Sequence, residues 1–183
     1  MAEEKKHYVI TGAPSTGKSS VINELRNMDF VCHGEIAREI IKENQKNNQN
    51  IFPWVNMREF SDMVYSRMKS RMSHQGNNLC FLDRSVVDLI GYMEYANENP
   101  PSTYSEFAKS ARYAKKVFIM PLWNSIYIND NERKESIEQA KDIDQNLRKA
   151  YTDLGFELVD VPQLSIKERA QFILNEIGLQ IEA

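Results

Sequence analysis

Gly12-Ala13-Pro14-Ser15-Thr16-Gly17-Lys18-Ser19 matches the pattern G-x-x-x-x-G-K-[S/T] of a phosphate-binding loop. Its flanks suit that reading. His7-Tyr8-Val9-Ile10-Thr11 before it reads as a short strand, and Ser19 to Asn27 after it carries Val21, Ile22 and Leu25 at helical spacing. Gly12 and Gly17 tolerate backbone conformations that other residues avoid. The N–H groups of the loop, up to Ser20, then point inward as an anion-binding nest, and the following helix adds the positive end of its dipole. Lys18 supplies a point charge for the β- and γ-phosphates, and the Ser19 hydroxyl is placed to ligate Mg²⁺. The expected ligand is a nucleoside triphosphate, ATP first, with GTP left open.

The whole chain is compatible with one domain over 1–183, with 42% hydrophobic and 27% charged residues. A formal net charge of −3 gives no basic footprint for nucleic acid, which is not an expected partner. No apolar run reaches the length of a membrane span, and Met1-Ala2-Glu3-Glu4-Lys5-Lys6 lacks the apolar stretch of a signal peptide. The expectation is a cytoplasmic protein with no membrane partner. Cys32 and Cys80, both in apolar strand-like segments, read as buried free thiols rather than a disulfide or metal site.

Further along, strands are expected at about 6–11, 29–33, 78–83, 116–120 and 156–161. Leu79-Cys80-Phe81-Leu82 is the continuous apolar run of a strand buried on both faces. Helices are expected from Glu35 to about Lys46, Met57 to Met72, Ser85 to Asn97, Tyr104 to Ala114, Glu132 to Tyr151 and Ser165 to Ile177. Ser165 and Glu168 fit a capping box. The polar run 44–50 reads as a mobile loop, and Ile51-Phe52-Pro53-Trp54-Val55 as a packed turn or a substrate-binding wall. The Met and aromatic stripe Met57, Phe60, Met63, Val64 and Met68 reads as core. Strands alternating with helices predict an α/β three-layer sandwich, a five-stranded parallel sheet with helices on both faces. Ligands in such sheets sit at the carboxyl ends of the strands. Gly12, Glu35, Asp83 and Pro121 fall there.

Three of those positions carry chemistry. Asp83 ends an apolar strand, the pattern of a carboxylate that holds Mg²⁺ near the loop hydroxyl; a helix N-cap is the plainer role. Arg84 follows where a motor ATPase would carry Glu. It stays protonated and cannot act as a base, but it can bind a phosphate or an acceptor; a surface ion pair is its alternative. Glu35 can accept a proton from an attacking hydroxyl, or simply favour the helix dipole in a first turn. Arg38 is expected to face the pocket and Glu39 the solvent. Arg133 and Lys134 open the long helix, where basic residues oppose the dipole. A mobile arginine there can cover the γ-phosphate, and a solvated helix start is the alternative. An N-K-x-D guanine signature and the Gly of a D-x-x-G switch are both missing, which weakens a small-GTPase reading.

With these residues in hand, the sequence resembles the P-loop ATPase/kinase family described as an AAA-type domain, related to nicotinamide riboside kinase domains and to nucleoside and nucleotide kinases. The matching pieces are I-T-G-A-P-S-T-G-K-S-S at 10–20, G-E-I-A-R-E-I at 34–40, F-L-D-R-S-V-V-D at 81–88, V-F-I-M-P-L-W at 117–123 and I-Y-I-N-D-N-E-R-K-E at 126–135. The resemblance implies that Gly12 to Ser20 hold the triphosphate and that Asp83 and Arg84 lie beside acceptor and metal. It implies a helical lid around 122–136 that includes Asn129 to Lys134. Asp88 falls on a family position whose chemistry is not readable; alone it reads as a helix-surface residue. The expected function is an Mg²⁺- and ATP-dependent kinase of a small, nucleoside-like acceptor. Lys18, Ser19 and Asp83 would hold MgATP, Glu35 or Asp83 would orient or deprotonate the acceptor, Arg84 would bind it and Arg133 would close over the γ-phosphate. The alternative is a slow nucleotide-dependent switch that acts through a protein partner.

Overall fold

A computed structural model describes residues 7–73, 78–123 and 136–179. All five expected strands form: β1 His7–Thr11, β2 Val31–His33, β3 Cys80–Asp83, β4 Lys116–Ile119 and β5 Glu157–Asp160. They make one sheet in the order β2-β3-β1-β4-β5, and every pairing is parallel. Every side chain of β3 is buried, as its unbroken apolar run requires.

The helices are α1 Lys18–Asn27, α2 Ile36–Lys46, α3 Met57–Ser73, α4 Val86–Tyr95, α5 Ser102–Ser110, α6 Ile137–Asp153 and α7 Ile166–Glu176. The two-residue period of the strands divides the core between the faces of the sheet. Ile10, Phe81 and Phe118 pack with Val21, Leu25, Ile173 and Leu174 of α1 and α7. Their neighbours Val9, Leu82 and Val117 point the other way, onto α2 to α6, with Ile40, Val64, Val87, Tyr104 and Tyr151. Cys32 and Cys80 are free thiols, Cys80 buried and Cys32 half-buried.

Some boundaries differ from expectation for local reasons. The helix expected over 104–114 is α5, which begins at Ser102 and stops at Ser110. The chain beyond it is drawn along β1: Ala114 donates to the His7 carbonyl, and Tyr113 bridges to His7. α6 opens at Ser136, whose hydroxyl accepts from the Gln139 N–H while the Gln139 side chain accepts from the Ser136 N–H. The expected start at Glu132 lies outside the described residues. Asn44 is not loop: it sits in α2, buried, and donates to the Ile51 carbonyl at 2.6 Å. That bond ties the return of the 47–51 segment to the helix. The Ser165–Glu168 capping box forms as expected.

The sheet order places the sites. β1, with the glycine loop at its end, is central. The ends of β2 and β3 bring Glu35 and Asp83-Arg84 to one side of it, and the chain beyond β4 and β5 brings Trp123 and Leu164 to the other.

Candidate functional site

The loop wraps as its glycines dictate. Gly12 has φ +136°, and a Cβ there would stand 2.5 Å from the Met120 carbonyl oxygen on β4's extension. Gly17, at φ +85°, is the N-cap of α1. Ser15 is also left-handed, at φ +62°. Lys18 turns back across the loop and donates to the Gly12 and Ala13 carbonyls at 2.9 and 2.7 Å. Thr16 closes the turn with a bond to the Ala13 carbonyl.

Ser19 donates to Asp83 Oδ2 at 3.4 Å, while Asp83 Oδ1 is buried with no partner. Asp83 is not an N-cap: Ser85 caps α4, its hydroxyl accepting from the Val87 N–H. A hydroxyl and a carboxylate with an unused buried oxygen are the hard donors that Mg²⁺ takes. Among the described residues no three His, Cys, Asp or Glu side chains converge. Mg²⁺ is commonly held by one or two protein oxygens together with substrate phosphates, and this pair fits that mode.

Arg84 is neither on the surface nor in an ordinary conformation. It is left-handed at φ +71°, a strained position for a non-glycine residue, and its N–H donates to the Ile10 carbonyl. That backbone turn sends its buried guanidinium between Glu35 and Asp88, at 2.9 and 3.0 Å. The Tyr92 ring lies 5.1 Å from the guanidinium carbon. Glu35 also faces Arg38 at 3.6 Å.

Asp88 is the main correction to the sequence reading. It is buried, not a helix-surface residue. One carboxylate oxygen accepts from Thr11 and Arg84; the other accepts from the Ser85 N–H and Tyr151. Ser85 and Tyr151 share a further bond of 2.7 Å. The spacing Ser85-x-x-Asp88 is a capping-box signature, so the bond from the Ser85 N–H to this carboxylate was legible, though its burial was not. Thr11 and Tyr151, which complete the network from distant positions, had none. Arg84 is therefore aimed by groups that hold its carboxylate partner in place. Removing the hydroxyl with Tyr151→Phe is expected to cost about 1–3 kcal/mol in urea unfolding, because it strips a donor from a buried carboxylate.

The charges perturb one another. Burial, with Arg84 beside it, pushes the Lys18 ammonium down to about 7 against the pull of Asp83 and Glu35. Burial and the Glu35 charge push Asp83 up to about 6, with Lys18 and Arg84 opposing. For Glu35, burial acts to raise the pKa, but Arg84, Lys18 and Arg38 together outweigh it and hold the carboxyl below its ordinary value.

A cavity of about 650 Å³ runs from the loop across Glu35, Arg84 and Asp88 into the cleft between α2, α3 and α4. Phe60, Val64 and Met68, expected as core, are core and cavity wall at once. Pro53 and Trp54 line it as well, so the 51–55 segment includes part of the wall. Arg38 lines the cavity, and Glu39 pairs with Arg71. Arg133, Lys134 and most of the expected lid lie outside the described residues. No helix among the described residues is long and apolar enough to cross a membrane.

The fold is that of P-loop small-molecule kinases. A NadR protein in complex with NR superposes with a TM-score of 0.71 at 16% identity, covering 97% of this chain and 53% of that one. This chain thus spans about half the length of that protein. A deoxyadenosine kinase from M. mycoides gives a TM-score of 0.66 at 14% identity, covering 94% and 98% of the two chains. A thymidylate kinase from Ehrlichia chaffeensis gives 0.65 at 10% identity, covering 93% and 97%. No curated protein sequence matches the chain. A family model described as an AAA domain matches residues 7–169, and the chain belongs to that family.

Proposed function

We propose that this protein is an Mg²⁺-dependent phosphotransferase that moves the γ-phosphoryl group of a nucleoside triphosphate, ATP first, to a hydroxyl of a small nucleoside-like acceptor. The observation that carries this reading is one continuous cavity. It joins the phosphate loop to Glu35 and Arg84 and continues into a cleft with apolar walls, and its size suits a small ligand. That second compartment leaves room for an acceptor beside the phosphates, which hydrolysis alone does not require. Solved structures of like fold are named as kinases of deoxyadenosine, thymidylate and shikimate, which supports the reading.

In this reading Lys18 and the loop N–H groups bind the β- and γ-phosphates. Ser19 and Asp83 hold Mg²⁺, which when bound neutralises charge on those phosphates. The acceptor hydroxyl oxygen forms a bond to the γ-phosphorus, the bond from phosphorus to the β,γ-bridging oxygen breaks, and the nucleoside diphosphate leaves. Glu35 accepts a hydrogen bond from the hydroxyl and takes its proton late. Its lowered pKa makes it a weak base, which a loose, metaphosphate-like transition state tolerates. Arg84, held by Glu35 and Asp88, presents its remaining donors to the acceptor or the transferring group. Arg133 as the residue closing over the γ-phosphate belongs to the same proposal.

The perturbed groups set a proton signature for binding. Below about pH 6 Asp83 is largely protonated, and a metal–nucleotide complex must displace that proton. Above about pH 7 Lys18 is largely neutral, and the phosphates draw a proton onto it. Calorimetric titration of MgADP in buffers of different ionisation enthalpy is expected to show net proton release at pH 5.5 and net uptake near pH 8. The reading as a whole is tested by ADP release from MgATP with and without hydroxyl-bearing metabolites. Acceleration by one chemical class is expected, and a rate that no compound changes would contradict it.

A further inference from the structure

Arg169, in the first turns of α7, plays no part in the site described so far. Its side chain is buried, with 5% of the residue exposed. Nη1 lies 3.5 Å from the Thr16 carbonyl, at the limit of a hydrogen bond. A Cβ on Gly17 would stand 2.8 Å from Nη1, so the loop backbone and this guanidinium lie close together. The Trp123 ring is 5.7 Å from its guanidinium carbon. Nε is buried with no partner, and among the described residues no carboxylate pairs with the group.

That is an unusual way to bury a cation. Buried arginines are ordinarily paired, because the desolvated charge is otherwise costly. Arg84, the other buried arginine of the cavity, has two carboxylates. Burial works against the Arg169 charge, and nothing described answers it. The guanidinium nonetheless lines the same cavity as the phosphate loop. Five donors stand beside an anion-binding nest with almost none of them used.

Its side of the loop says which anion it serves. Lys18, Ser19, Asp83, Glu35 and Arg84 gather at β1 and toward β3 and β2, where the γ-phosphate meets the acceptor. Arg169 comes from the other side, from α7, which follows β5 in the chain and packs on α1, on the wall that carries Trp123, Leu164 and Ile166. A nucleotide whose γ-phosphate points toward Asp83 extends its α-phosphate and nucleoside toward that wall. We propose that Arg169 is a nucleotide-binding residue that donates to the α-phosphate of the donor. The proposal rests on the phosphotransferase reading above.

The α-phosphate keeps its charge throughout transfer, so this contact binds ground state and transition state alike. Arg169→Met keeps the volume and removes the donors. It is expected to weaken MgADP and the magnesium complex of the non-hydrolysable analogue AMP-PNP by the same factor, about ten- to one-hundredfold in calorimetric Kd. Arg169→Lys keeps a charge without the fork, should recover part of the loss for both ligands, and decides the matter if the Met variant fails to fold. In turnover, KM for ATP is expected to rise with kcat changed less than about threefold. Unchanged affinity in a folded variant, or a loss confined to the triphosphate analogue, overturns the proposal: the first makes Arg169 structural and the second moves it to the γ-phosphate. Failure of the wild-type protein to bind either nucleotide would instead sink the phosphotransferase reading itself.

Discussion

Lys18→Ala is expected to lower kcat by about 10²–10³ and to weaken MgATP binding by about ten- to one-hundredfold, while the protein still folds. The reason is where the ammonium sits. It lies over the nest, held by the carbonyls of Gly12 and Ala13. Those are weak partners for a buried cation, and burial has already pushed its pKa down to about 7. Phosphate oxygens are far better partners, so a large share of the interaction is realised only when the triphosphate arrives. The same argument limits the cost to the fold. Truncation frees two loop carbonyls, but it also removes a desolvated charge. A net change of about 1 kcal/mol either way would move Tm by only about 2–4 °C in a chain of this size. Calorimetry and a thermal melt on the same sample check both halves. Wild-type affinity for MgATP in the variant would refute the reading of the loop.

Asp83→Asn is expected to move activity and stability in opposite directions. Its carboxylate supplies the negative charge beside Ser19 that suits Mg²⁺. Asn keeps the shape and loses the charge, so kcat should fall by about 10²–10³ and the Mg²⁺ requirement should rise. Stability follows from linkage. The folded protein holds Asp83 at about 6, above the ordinary value of 3.8. A group raised in this way favours the fold only while protonated, and the advantage is lost as pH rises from the unfolded value through about 6. At pH 7.5 the ionised carboxylate therefore weakens the free protein, and Asn should stabilise it on the order of 1–3 kcal/mol. That gain should vanish near pH 4. Urea unfolding at the two pH values, beside activity at varied Mg²⁺, reads both effects. A variant less stable at pH 7.5 would show that Asp83 is a structural carboxylate. Activity lost while stability is gained marks a site arranged for function at the expense of the fold.

Much of this was legible because it is local. Strand, glycine turn and helix lie in one continuous run at 7–27, and the apolar strand β3 ends on Asp83. What escaped reading depends on distant contacts. Asp88 is buried because Thr11 and Tyr151 reach it from sequence separations of 77 and 63, which no local pattern encodes. The positive φ of Arg84, which turns its guanidinium inward, is a tertiary constraint on a residue type that rarely adopts it. Arg169 lies in the expected helix Ser165 to Ile177 with no motif around it, and only the packing of α7 on α1 sets it against the loop. Asn44 belonged by composition to a polar loop, yet its side chain is spent on the Ile51 carbonyl. The sequence reading of the strands needed only hydrophobic pattern; the reading of these four residues needed the fold.

The central claim is that the cavity carries out transfer rather than hydrolysis or sensing. The most direct measurement incubates the protein with Mg²⁺ and ATP labelled on its γ-phosphate, with a panel of nucleosides, nucleotides and other hydroxyl-bearing metabolites, and follows where the label goes. The account predicts a labelled phosphomonoester of one chemical class, formed in step with ADP and abolished in Lys18→Ala and Asp83→Asn. Label that appears only as inorganic phosphate, slowly and at the same rate with every compound, would contradict it and assign the cavity to a partner-dependent nucleotide switch.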